Sequence, residues 1–297
     1  MSKKLLEIAS RFAESHADRD GVARTPIPGV TVIRETVKGA MQYAINRPLV
    51  ALVLQGRKRV VMERKTFEFG AGESLLITTD VPTVSEIIRA DAAAPYVSIV
   101  FDLDIAILES LVVEMSGAPQ AIGQAVRVEA TGADVADCAL RLMALLERPA
   151  SLTVLQAQML RELHFWLLAG QHGGAIRALG VVDSHAQRIG RAVARIRSDY
   201  AKVLRVDQLA AVAGMSVSTF HEHFRTITSL TPIQLQKQLR LIEARRRLLS
   251  EGLTVGQAAH DVGYESVPQF TRDYGRMFGS SPAREVKTAL RRPAFAA

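Results

Sequence analysis

Cysteine is almost absent: Cys138 is the only one in 297 residues, which excludes an internal disulfide and any multi-cysteine zinc site and fits a reducing compartment. Beside Leu140 and Leu142, this lone thiol reads as packing. No run of about 18 apolar residues occurs, so a membrane span is not expected. The start, Met1 to Glu14, carries Lys3 and Lys4, but Glu7, Arg11 and Glu14 interrupt the apolar residues that follow, and no signal-peptide core forms. A soluble protein that stays in the cytoplasm is the expectation. Histidine is missing from Val22 to Asp104, and neither a glycine-rich phosphate loop nor a serine nucleophile elbow appears.

Hydrophobic residues make up 48% and charged residues 23%, the balance of an ordinary globular chain, and the length favours two domains. The charge is unevenly placed. From Ser184 onward there are 18 Lys or Arg against 9 Asp or Glu, whereas residues 1–183 hold 19 against 21. A basic half of this kind is the footprint expected of a polyanion partner, although a solvated charged surface gives the same count.

Between Val30 and Leu103, β-rich runs alternate with glycine and proline: Val30 to Ile33, Leu49 to Gln55, Arg59 to Met62, Ser74 to Thr78 and Tyr96 to Phe101. This predicts an antiparallel sandwich or barrel. Gly56 and the Gly70-Ala71-Gly72 segment sit where turns require positive φ. Beyond Asp104 the period becomes helical. Val135, Cys138, Ala139, Leu142, Met143 and Leu146 form one stripe, with Asp134 as N-cap; Leu152, Leu155, Met159, Leu163, Trp166 and Leu167 form another, and Pro149 separates them. These stripes need a cover, either the chain's own core or a second subunit across residues 134–169. Gly170 to Gly180 reads as the end of that domain and the start of a linker.

The last third is helical throughout. Val206 to Ala213, ended by Gly214, precedes a helix N-capped by Ser216 and reaching about Thr226. Val217, Phe220 and Phe224 fall on one face of it, and Ser218, His221, Glu222 and Arg225 on the other. Thr231-Pro232-Ile233-Gln234 is a capping-box start for a long helix that runs to about Ser250. The same signature recurs at Thr254 and Ser266, so helix, tight turn, helix occurs twice. In the second copy Phe270 and Tyr274 point inward, with Gln269, Arg272, Asp273 and Arg276 outside. The spacer of 19 residues spans about 28 Å, close to the roughly 34 Å of one DNA turn. Two recognition helices on such a spacer match successive major-groove segments.

These residues, with Leu209-Ala210, Met215 to Phe220, Arg240-Leu241, Ala244-Arg245, Val262 to Ser266 and Phe278-Gly279, resemble the AraC/XylS-type DNA-binding domain. The N-terminal part resembles the cupin-like regulatory domain of one subgroup, through Leu54 to Lys58, Val81-Pro82, Pro95-Tyr96 and Leu103-Asp104. The resemblance implies an α+β multidomain protein. Residues 1–183 would form a cupin-like, effector-sensing β-barrel with a helical dimerisation segment at about 134–169. Residues 184–292 would form an all-α DNA-binding domain with two helix-turn-helix units joined by a long helix. It further implies a homodimeric transcription regulator whose partners are promoter or operator DNA, a small-molecule effector and RNA polymerase. Ser218, His221 and Glu222 in the first unit, and Gln269 and Arg272 in the second, would face bases, with Arg225 one turn further on the same outer face. Two departures stand out. Pro268 replaces an often polar, base-contacting residue, and Leu230 replaces a common glycine; Gln269 would also be partly committed to its cap.

Other readings of single residues stay open at this stage: His221 as a surface histidine, Arg272 as an ion-pair partner, and Arg245-Arg246-Arg247 as a phosphate contact or a solvated face. A metal-dependent cupin-like enzyme would need two or three histidines with a carboxylate, which the barrel region lacks. No catalytic residue, metal or cofactor is therefore assigned. An architectural DNA-bending protein without effector control is the non-enzymatic rival. Arg57, Lys58, Arg59, Arg64 and Lys65 hint at an anionic or carbonyl ligand, or form a solvated basic hairpin.

Overall fold

The computed structural model describes residues 2–18, 20–39, 41–62, 65–115 and 126–291. Two compact units are present: one comprises residues 1–190 with 226–229, the other residues 191–225 and the chain from Leu230 onward.

The first unit opens with helix α1 (Lys3–His16), followed by strands β1 (Val22–Arg24), β2 (Val30–Glu35), β3 (Gln42–Asn46), β4 (Leu49–Gln55), β5 (Arg57–Met62), β6 (Lys65–Gly70), β7 (Glu73–Ile77), β8 (Val81–Arg89) and β9 (Tyr96–Asp102). Helix α2 (Ile105–Glu114), strand β10 (Val126–Ala130) and helices α3 (Ala133–Ala144), α4 (Pro149–Ala169) and α5 (Gly173–Gly180) complete it. The strands form two antiparallel sheets, ordered β1-β2-β9-β4-β7-β10 and β3-β8-β5-β6.

Strand β4 explains the layering. Its sequence, Leu-Val-Ala-Leu-Val-Leu-Gln, is buried at every position except the last, because side chains alternate between two covered faces. Val50, Leu52 and Leu54 join the core under the helices, against Leu5, Ile8 and Ala13 of α1 and Cys138 and Leu142 of α3. Leu49, Ala51 and Val53 face the other sheet and join Val60, Phe69 and Tyr96. Gly56 then turns the chain from one sheet into the other at φ 81°. A Cβ there would lie 2.6 Å from the Arg89 carbonyl oxygen, so only glycine fits.

Three sequence expectations change here. Gly170 to Gly180 is no linker: after a short turn, α5 buries Ala175, Ile176 and Leu179 in the helical core. Alternating glycine with apolar residues built a tight corner and a core helix. Asp134 is not an N-cap; α3 begins at Ala133 after Gly132, and Asp134 lies in the first turn, where a carboxylate favours the helix dipole instead. The strands β1, β3, β6, β8 and β10 were not among the expected runs: β1, β3, β6 and β10 are short or half-exposed edge or near-edge strands, and β8, though largely buried inside its sheet, interleaves Pro82, Thr83, Ser85 and Glu86 with its apolar residues.

Helix α6 (His185–Ser198) leads into α7 (Val206–Val212), α8 (Val217–Thr228), α9 (Pro232–Ser250), α10 (Val255–Asp261), α11 (Val267–Phe278) and α12 (Pro282–Arg291). Thr231 and Thr254 close full capping boxes with Gln234 and Gln257, which explains why α9 and α10 start where they do. Phe270 and Tyr274 of α11 pack with Leu241, Leu248, Ala258, Val262 and Tyr264. Among the described residues no helix is long and apolar enough to cross a membrane.

Candidate nucleic-acid interface and barrel cavity

Each helix-turn-helix is held from behind by aromatics. On α8, Phe220 and Phe224 are fully buried with ring centroids 5.3 Å apart. On α11, Phe270 meets Tyr264 at 5.3 Å and Tyr274 at 5.5 Å. With those faces turned inward, the 3.6-residue period leaves Ser218, His221, Glu222 and Arg225 together on the exposed side of α8, and Gln269 and Arg272 on the exposed side of α11.

The turn before α11 is fixed by backbone geometry. Gly263 has φ 87°, and a Cβ there would collide with the Ala201 carbonyl oxygen. Arg240 of α9 ties the same region together, donating to the carbonyls of Tyr200 at 2.7 Å, Gly263 at 2.9 Å and Lys202 at 3.0 Å. Burial lowers its guanidinium pKa, yet the ring of carbonyls satisfies its donors. Arg240 stands in the Arg240-Leu241 motif, but these contacts span 23 to 40 residues and leave no local sequence signal.

Several side chains stand differently from expectation. Asp273 is not outside: it is 6% exposed, accepts from the Tyr264 hydroxyl at 3.4 Å and pairs with Lys237 of α9. Gln269 is not committed to its cap. Ser266 accepts from the Gln269 amide at 3.4 Å, but the return bond seen at Gln234 and Gln257 is absent from this cap, and the Gln269 side chain lies exposed. The left-handed bend before α9 falls on Ser229, φ 63°, rather than on Leu230, which is buried. The arginine run on α9 is engaged within the protein. Arg245 pairs with Glu285, Arg246 with Glu243 and Glu251, and Arg247 with Glu243 and Asp261. Arg272, by contrast, makes no ion pair among the described residues and points away from the buried face.

In the first unit, a cavity of about 240 Å³ lies between the two sheets. Of the basic hairpin residues that are described, Lys58 alone lines it, because Lys58 and Val60 share the inner face of β5. Arg57 and Lys65 are exposed, Arg59 pairs with Glu68 and Glu86, and Arg64 lies outside the described residues. Among the described residues no group of three His, Cys, Asp or Glu is placed to hold a metal. Cys138 is buried, and burial pushes its thiol up to about 12, the state of a packing residue.

Residues 26–175 match the family described as AraC-type transcriptional regulator N-terminus. The chain belongs to the AraC-type transcriptional regulators. Residues 209–287 of this regulator match a helix-turn-helix domain. It is 27% identical to the virulence regulon transcriptional activator VirF of Yersinia enterocolitica over 153 residues, 50% of this chain and 55% of VirF; the matched part of the chain spans about half the length of such curated relatives. A single-substitution variant of apo ToxT from Vibrio cholerae shares the fold, with a TM-score of 0.57 at 11% identity over 89% of this chain and 99% of that one. Unsaturated fatty acid bound wild-type ToxT from Vibrio cholerae gives a TM-score of 0.54 at 13% identity over 86% and 94%. The α+β, two-part architecture expected from the sequence is thus the architecture found.

Proposed function

We propose that this regulator binds a specific duplex DNA sequence through α8 and α11 and that a small-molecule effector held in its first unit controls that binding. The observation that carries the reading is the pair of matched helix-turn-helix units on one 19-residue helix, each with its aromatics buried and a polar face exposed. Ser218, His221, Glu222 and Arg225 face one major-groove segment and Gln269 and Arg272 the next. Residues 184–292 serve as the DNA-binding domain and residues 1–183 as the sensing domain. A ToxT structure with a fatty acid bound supports small-molecule control. RNA polymerase is the further partner, the cytoplasm the site of action, and no catalytic step is assigned.

A homodimer formed through residues 134–169 belongs to the same proposal. Val154 and Leu155 of α4 are 66% and 43% exposed while Leu163, Leu167 and Leu168 of that helix are buried, so its first turns present apolar surface to a second copy. Light scattering at micromolar concentration is expected to give a dimer, and Leu155→Asp a monomer.

Footprinting of the full chain on the DNA upstream of its own gene tests the DNA reading. Two protected segments about one turn apart are expected. A folded protein that retards no duplex at low salt would show the reading to be wrong.

A further inference from the structure

A lysine enclosed in an apolar barrel without a counter-ion is an unusual thing for a fold to keep. Lys58 Nζ has no carboxylate within ion-pairing distance among the described residues; its companion is the Tyr96 ring, 5.9 Å away. Burying an ammonium this way costs free energy unless something compensates it. Consistently, burial lowers the Lys58 pKa to about 8, with only the more distant Glu35 opposing the shift. Yet Lys58 keeps part of its surface accessible, and it lines the cavity.

The walls continue the pattern. Ser98 on β9 is 1% exposed, and its hydroxyl has no hydrogen-bond partner within 3.5 Å among the described residues, only an interaction with the Tyr96 hydroxyl; it lies one inward-facing position along from Tyr96. Ser85, paired in register with Val60, is also buried. Farther along, the lining is Ala51, Val100, Leu75 and Ile77, with Thr31 beside Val100 and the Asn46–Thr83 pair, bonded at 2.6 Å, on the facing sheet. The cavity therefore has one cationic, hydroxyl-bearing end and one end that is apolar along β4, β7 and β9 and polar at Thr31, Asn46 and Thr83.

Resting on the reading of the first unit as effector-sensing, we propose that the effector occupies this cavity and is a compact organic monocarboxylate. Its carboxylate accepts from Lys58 Nζ, and its apolar body lies against Ala51, Val100, Leu75 and Ile77. One charge is specified because no second cation lines the cavity among the described residues: Arg59 is held on the outside by Glu68 and Glu86. Compactness follows from 240 Å³, below the roughly 300–1,000 Å³ of pockets that take drug-sized ligands. Phosphorylated sugars exceed the charge limit and long acyl chains the size limit.

Direct binding to the full chain, without DNA, tests this independently of the operator. Benzoate and hexanoate are the probes, followed by calorimetry and by the thermal unfolding midpoint, with benzamide and benzylamine as neutral and cationic counterparts. Saturable binding of at least one acid, with a Kd of about 1 mM or tighter, is expected, and benzamide should bind at least about tenfold more weakly. Lys58→Met should abolish acid binding while raising the midpoint of the free protein, because the uncompensated cation is gone. Ala51→Leu, which fills the apolar end and keeps Lys58, should weaken binding as well. Three results would overturn the proposal: no binding of either acid to the folded wild type, equal binding of benzamide, or acid binding unchanged in both variants. Capture of benzaldehyde on Lys58 by borohydride, with no acid bound, would likewise replace the carboxylate by a carbonyl ligand.

Discussion

Lys237 Nζ lies 2.6 Å from Asp273 Oδ1, joining the long helix α9 to the inner face of the second recognition helix α11. The carboxylate is nearly buried while the ammonium is 44% exposed, so the pair is asymmetric. Losing Lys237 leaves a nearly buried anion with only the Tyr264 hydroxyl at 3.4 Å and Arg276 at 4.0 Å, whereas losing Asp273 leaves a cation that can reach water.

Lys237→Ala is therefore expected to cost about 1–3 kcal/mol of stability, and Lys237→Ala with Asp273→Asn less than Lys237→Ala alone. Urea denaturation of these two variants and of Asp273→Asn alone measures this. Additive losses in the double variant would mean that the two side chains are not coupled.

The three glutamines that follow cap residues should behave differently. Gln234 and Gln257 bond back to the Thr231 and Thr254 amides at 2.8 and 3.1 Å; the Gln269 side chain does not close such a bond. Gln234→Ala and Gln257→Ala should each lower stability by about 0.5–1 kcal/mol, while Gln269→Ala should leave stability unchanged and weaken DNA binding. A loss of stability in Gln269→Ala equal to the others would restore its capping role.

Much of the second unit was legible because its signals are local. Thr-Pro-x-Gln at 231–234 and Thr-x-x-Gln at 254–257 set helix starts to the residue, and the spacing of Phe220 with Phe224 fixed which face of α8 is exposed. Asp273 was misjudged for a reason that periodicity cannot see: its helical position is at the border of the buried face, and a partner 36 residues earlier draws it in. The two sheets were legible only in their central strands. β4 announces itself by continuous apolar sequence, but Lys58 looked like one member of a basic hairpin, since which face of β5 is enclosed depends on a turn at Gly56 and on β8 across the sheet.

Acid should destabilise the first unit. His172 is 5% exposed, its Nε2 lies 2.9 Å from Ser74 Oγ, and burial, helped by the Arg127 charge, lowers its pKa to about 4. The unfolded chain has an ordinary histidine near 6.5 and binds a proton that the folded state refuses. The neutral side chain's contribution is thus complete above about pH 6.5 and is lost as pH falls toward 4, by on the order of 3 kcal/mol. Trp166, the only tryptophan, lines the same cavity as His172 and reports the transition by fluorescence. His172→Gln should flatten the stability profile between pH 6.5 and 4; an equally steep profile in that variant would assign the loss to other groups.

The last prediction separates reading from holding. Arg272 stands on the exposed face of α11, one turn beyond Gln269, outside the ion pairs that occupy Arg245, Arg246 and Arg247. A guanidinium placed so has its planar fork available for guanine O6 and N7 together. Removing such a contact costs about 1–3 kcal/mol at one base pair, while removing a phosphate contact weakens every sequence alike and lowers the salt slope by about one counterion. Arg272→Ala should therefore lose far more affinity for the specific site than for a scrambled duplex, with the salt slope nearly unchanged. Arg246, held by Glu243 and Glu251 at 2.8 Å each, has little left to offer a phosphate, so Arg246→Ala should alter neither affinity beyond its effect on stability. Isotherms for both variants on both duplexes at several salt concentrations decide the matter: equal losses on the two duplexes for Arg272→Ala, with a reduced slope, would make Arg272 a phosphate anchor and leave base reading in the second unit to Gln269.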